Sequence, residues 1–250
     1  MKNLIGISIL ALALTAPAAV LAQDDKDEAK TFIYATYFYC KASRLDEVDE
    51  MVDKVTAPLY DAGVKDGTLG GWGWLTHHTG GKWNRIFYHV SDSMDNLFKG
   101  QATMAERSKD ANDGFNEICG LHDDYIWESV VNNGLTADRG KAGLSVYHVC
   151  DINREERADE IVKTVFAPLY NNAVKDGKIK SWGWSTHVIG GEYRKLGTMT
   201  GDSFSDVLKA RGEILEAAYG DGDNADANEF SDICTSHSDY LWGVANEGRP

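Results

Sequence analysis

An α+β chain built from two tandem β-α-β-β-α-β repeats is predicted by three features of the sequence. These are a self-similarity at a fixed offset, strand-like and helix-like periods that alternate within each copy, and one matched cysteine pair per copy. The string APLY recurs at Ala57 and Ala167, and WGWLTH at Trp72 recurs as WGWSTH at Trp182, both at an offset of 110. Of the 39 positions from Val55 to Ser93, 18 are identical to their counterparts in Val165 to Ser203, far beyond coincidence. Further on the offset becomes 115, pairing Cys119 with Cys234, His122 with His237, Tyr125 with Tyr240 and Trp127 with Trp242. The five extra residues fall in the Gly- and Asp-rich stretch between Tyr219 and Glu229, read as a longer, solvated surface loop.

Within one copy the elements follow in order. Thr31 to Cys40 is aromatic and β-branched and reads as a strand. Leu45, Val48, Val52, Val55 and Leu59 recur at spacings of three and four, the period of an amphipathic helix. Pro58 lacks the donor for the preceding turn and should kink or restart that helix near its end. Lys65-Asp66-Gly67 supplies a turn, Leu69 to Thr79 a second strand, Gly80-Gly81 a hairpin and Trp83 to Val90 a third strand. Asp92 or Ser93 can cap a second helix carrying Met94, Leu97, Phe98 and Met104, and Asp124 to Val131 reads as a fourth strand. This order defines the ferredoxin-like unit, whose sheet order is 4-1-3-2. The domain division is therefore 31–135 for the first repeat and 136–250 for the second.

In that sheet order strands one and four are neighbours, and Cys40 and Cys119 fall at the same end of the pair. Four cysteines allow three connectivities, and one matched pair per repeat favours Cys40–Cys119 and Cys150–Cys234. Disulfides agree with the N-terminus. Lys2, the apolar run from Leu4 to Leu14 and the small residues before Gln23 have the layout of a secretory signal peptide over residues 1–22, followed by an acidic linker over 23–30. The run is shorter than the roughly 20 residues a bilayer core requires, so no membrane anchor is expected after cleavage. The expected compartment is periplasmic or secreted. Removing residues 1–22 takes away Lys2 alone and moves the formal charge from −14 to −15. Such a charge excludes nucleic acid and anionic lipid as natural partners, because both are bound through Lys and Arg contacts to phosphate.

Two such units in tandem, rich in Trp and Tyr, resemble the dimeric α/β-barrel superfamily over nearly the whole mature chain, from about Thr31 to Asn246. The resemblance implies two ferredoxin-like units packed sheet to sheet as a fused barrel, an arrangement that allows a monomer. Members of the superfamily include cofactor-independent monooxygenases of small aromatic compounds, haem-degrading enzymes, muconolactone-isomerase-like proteins, haem-binding chlorite dismutases and dye-decolourising peroxidases. No stretch here matches the catalytic signature of any of them, so no catalytic residue is carried over.

Candidate site residues are then weighed directly. Alternation puts Trp72, Trp74 and Thr76 on one face of the second strand and Leu75 and His77 on the other, with Trp182, Trp184 and Ser185, His187 as their counterparts. The tryptophans serve as core packing or as the wall of an aromatic pocket. Tyr125 and Tyr240 share a face with Trp127 and Trp242 on the last strand. Where the copies differ in bulk a cavity forms more easily, and Ser185, Gly197 and Met199 face Leu75, Phe87 and His89. A cavity is therefore expected in the second copy around Ser185, His187, Gly197 and Met199. No cofactor is required by the sequence. Non-covalent haem needs one axial ligand and an apolar slot, for which His77, His187, His122 and His237 are the candidates. The Cys-x-x-His spacing at Cys119 and Cys234 suits zinc, but an oxidising compartment turns those thiols to disulfides, and no metal is expected. Three roles follow: an exported small-molecule-binding protein, a monooxygenase-like or haem-dependent enzyme, and a structural or partner-binding protein.

Overall fold

The computed structural model describes residues 30–109, 114–134 and 138–250, so the expected leader and the expected 135/136 boundary lie outside the described residues. The first half runs β1 (Phe32–Phe38), α1 (Leu45–Met51), α2 (Ala57–Lys65), β2 (Gly71–Thr79), β3 (Arg85–Ser91), α3 (Met94–Arg107), α4 (Phe115–Ile118) and β4 (His122–Asn132). The second runs β5 (Ala142–Val149), α5 (Glu155–Ile161), α6 (Ala167–Lys175), β6 (Ser181–Ile189), β7 (Lys195–Gly201), α7 (Phe204–Tyr219), α8 (Ala225–Ile233) and β8 (Ser236–Gly248).

The eight described strands close into one barrel in the order β1-β3-β2-β8-β5-β7-β6-β4. Every pairing is antiparallel, including the two seams that join the halves, β2 to β8 and β4 to β6. Closure leaves no unpaired strand edge. Strand alternation then sorts the side chains into three cores. Tyr37, Trp127, Tyr147 and Trp242 fill the barrel interior. Trp72, Trp74 and Leu97 lie outside it beneath the first half's helices, and Trp182, Trp184 and Val207 lie beneath those of the second.

Pro58 acts as a local widening of the helix and does not break it. Between α1 and α2 the chain forms a π segment, Val52–Thr56, and the Ala57 N–H reaches back five residues to Val52 O. The second half repeats this with Val162–Phe166 ahead of Pro168. Proline supplies no N–H and its ring crowds the carbonyl four residues back, so the wider turn relieves both constraints. Ser93 caps α3, its side chain accepting from Asn96 N.

Part of the expected loop after Tyr219 is helical. Asn224 accepts from Ala227 N and starts α8, which carries Phe230 and Ile233 into the core. Arg44 and Arg154, close to the end of the first strand of each half, pair with Glu47 and Glu229; Asp239 is held by Arg211 at 2.7 Å. The bridges Cys40–Cys119 and Cys150–Cys234 are formed, with Cα atoms 4.0 and 3.9 Å apart. They tie the end of the first strand to the turn before the last strand in each half.

Candidate functional site

The two WGW strings are wedges between sheet and helices. Trp72 and Trp74 donate their indole N–H to Asp61 and Asp49, and Trp182 and Trp184 to Asn171 and Asp159. Behind the second tryptophan of each string sits a buried cation. Arg85 grips Asp49 with two bonds of 2.7 and 2.6 Å, and Lys195 meets Asp159 at 2.7 Å. This Trp–Asp–cation set recurs in both halves. Spacing within one copy gave no sign of it, but comparing the copies at positions 49, 74 and 85 does.

What differs between the halves is the space beside the tryptophans. In the first, Phe87 fills it, with its ring 4.8 Å from Tyr60, 5.9 Å from Trp72 and 6.5 Å from Trp74. In the second, Gly197 stands at the same place, and a Cβ built there would lie 3.5 Å from the nearest Trp184 atom, an ordinary contact. Leu144 likewise replaces Tyr34 and Met199 replaces His89. The result is a pocket between the outer face of the second half's sheet and its helices. Its wall is mostly apolar and includes Trp182, Trp184, Phe166, Phe230, Met199 and Leu215. A groove lined by Arg211, Leu215, Tyr219 and Phe230 shares those residues with the pocket and leads it to the surface.

A few polar groups converge on this wall. His148, the counterpart of Phe38, is boxed by Trp184, Phe230 and His237 with ring centroids 5.3, 5.6 and 5.6 Å away. Its Nδ1 is buried without a hydrogen-bond partner. Burial, reinforced by the neighbouring His237, pushes its pKa down to about 3, so the ring is neutral. Tyr170 stacks on Trp182 at 5.0 Å, and burial pushes its hydroxyl up to about 12. Arg211 also lines the pocket, its charge balanced by Asp239.

The expected cavity residues are divided by alternation. Gly197, Met199, Trp182 and Trp184 meet at the outer pocket, whereas Ser185 and His187 lie on the opposite face of β6. His187 packs against Tyr125 and Trp127, its Nδ1 accepting from Arg194 at 2.7 Å. Burial and that guanidinium hold its pKa below the usual histidine value. His77 packs against Tyr240 and Trp242, and its Nε2 pairs with Gly80 O. Tyr125 and Tyr240 belong to the barrel interior, and Trp72 and Trp74 to the filled first half. His148, Tyr170, Arg211 and Tyr219 were missed; the exchange of Phe38 for His148 is the signal that could have found the first.

None of the four candidate axial ligands lines the outer pocket. His122 and His237 are exposed, with Nδ1 on Asp124 and Asp239, and His77 and His187 lie on the strand faces opposite the tryptophans.

By sequence, no family model and no curated protein matches the chain. Solved structures do match it in fold. A proposed monooxygenase from Fusobacterium nucleatum superposes with a TM-score of 0.64 at 10% identity, covering 89% of this chain and 95% of the other. A proposed monooxygenase from Lactobacillus acidophilus gives 0.63 at 8%, covering 88% and 96%. An anthrone oxidase-like protein gives 0.55 at 13%, covering 88% and 93%. The chain has the fold of the dimeric α/β-barrel superfamily, with a closed eight-stranded antiparallel barrel.

Proposed function

We propose that this chain is an exported protein that binds a small apolar aromatic molecule in the outer pocket of its second half. The observation that carries the reading is the exchange of Phe87 for Gly197, which leaves out of the second half the ring that fills the first and opens a walled pocket there. A mostly apolar lining with few polar groups is the usual make-up of a small-molecule site. Of the structural neighbours, the anthrone oxidase-like protein suggests the ligand class, a fused-ring aromatic.

The organisation in this reading is a leader over 1–22, a linker over 23–30 and tandem ferredoxin-like repeats over 31–135 and 136–250. The strand orders β4-β1-β3-β2 and β8-β5-β7-β6 support the tandem division. Two disulfides support export to the periplasm or beyond, and no described helix is long and apolar enough to cross a membrane. Closure of the barrel within one chain supports a monomer.

Burial pushes the His148 ring down to about 3, so it meets a ligand as a neutral group. Protein purified from its native host and extracted with organic solvent should release a small aromatic compound seen by mass spectrometry. The Gly197→Phe variant, prepared in the same way, should not release that compound. Equal recovery from both proteins would refute the assignment.

A further inference from the structure

The barrel interior holds a second chamber, on the other side of β5 and β7 from the outer pocket. It arises from a separate set of exchanges between the halves. On the first half's wall stand Ile33, Ala35, Leu75 and Tyr88; on the second half's wall Gly143 replaces Ile33, Ser145 replaces Ala35 and Thr198 replaces Tyr88. Volume is thus removed, and Ser145 adds a hydroxyl where the first half has Ala35. One end of the barrel is plugged, since Trp83 donates to Asp123 at 2.7 Å and stacks on Tyr240, while the Tyr193 hydroxyl meets Ser238 at 2.9 Å.

Arg139 lines the chamber and is half-buried. Its Nε donates to Ser181 Oγ at 3.0 Å and its Nη1 to the Tyr88 hydroxyl at 3.3 Å, both neutral oxygens. Among the described residues no carboxylate pairs with it. Arg249 also reaches the Tyr88 hydroxyl, at 3.4 Å, but is neutralised by Glu247 at 3.2 Å. Among the described residues one positive charge therefore stands uncompensated beside an apolar chamber, in a chain whose formal charge is −14. A guanidinium with unused donors matches a carboxylate in both charge and shape. Trp242 also lines the chamber, and its indole N–H is buried with no acceptor.

We infer that the barrel interior is a second binding site, for a small carboxylate with an apolar body, whose carboxylate sits on Arg139. The site does not depend on the outer pocket. The test is run in a Gly197→Phe background, where the outer pocket is closed, with 2-naphthoate and neutral 2-naphthylmethanol as probes and tryptophan fluorescence as the readout. In that background 2-naphthoate should bind saturably and more tightly than the alcohol. Adding Arg139→Gln should weaken the carboxylate about tenfold or more and erase its advantage over the alcohol, whereas Arg139→Lys should retain part of that advantage. Thr198→Tyr, which restores the first half's residue opposite Gly183 just as Tyr88 packs against Gly73, should abolish both. Circular dichroism checks that each variant is folded. The inference fails if 2-naphthoate shows no saturation up to about 5 mM in the Gly197→Phe background, or if folded Arg139→Gln and Thr198→Tyr proteins bind it unchanged.

Discussion

His148 shows how one side chain links packing, charge and ligand space. The unfolded chain takes up a proton on this residue near the ordinary histidine pKa of 6.5, while the folded chain refuses it until about pH 3. Stability is therefore fully present above about pH 6.5 and is lost as pH falls towards 3, by about 1.4 kcal/mol per pH unit for one such group. His89, pushed down to about 4 by burial, acts in the same direction. Urea unfolding at about pH 7.5 and pH 5.5 should thus show a marked drop for the native protein and a smaller one for His148→Phe, which carries the first half's residue. Identical drops would show that His148 is not buried neutral. Gly197→Phe should leave stability unchanged or raise it by about 1 kcal/mol, as a cavity-filling change, read by the same titration. These positions were half legible in the sequence. The bulk difference at Gly197 was readable from the aligned copies, but His148 reads like any strand residue until the helices that bury it are in place.

At the scale of elements, the sheet-to-helix joints rest on Trp74–Asp49–Arg85 and Trp184–Asp159–Lys195. Removing a neutral donor costs less than stranding a charge. Trp184→Phe should lose one hydrogen bond and some packing, about 1–2 kcal/mol, while Lys195→Met should cost about 3 kcal/mol because Asp159 keeps its charge at a site only 18% exposed. Denaturant melts of the two variants, ranked, check this; the reverse order would mean the cation contributes little. Strand and helix periods in the sequence were enough to place most of these elements. Helix α8 was hidden because its acidic, Gly-flanked surroundings look like loop, although Asn224 three residues ahead of the Ala227 amide it caps was a usable start signal. The alternation that separates Ser185 from Gly197 was also readable. What it could not reveal is which face meets helices and which meets the barrel interior, since both are apolar.

For the whole molecule, closure and cross-linking act together. Each disulfide spans 79 or 84 residues, and loop-closure entropy gives about 4–5 kcal/mol for each, so mild reduction should lower the melting temperature by many degrees. A melt in reductant that matches the oxidised one would show that the barrel does not need them. The fold and its duplication were legible because both halves repeat the same strand and helix code. Function was not, because it rests on the places where the copies part: Phe87 against Gly197, Phe38 against His148 and Tyr88 against Thr198. This asymmetry opens an outer pocket in the second half, where strict symmetry would give two or none. Calorimetric titration with 1-naphthol is the decisive experiment. One tight site per chain is expected in the native protein, lost in Gly197→Phe; two equivalent sites per chain, or unchanged binding in Gly197→Phe, would overturn the asymmetric pocket.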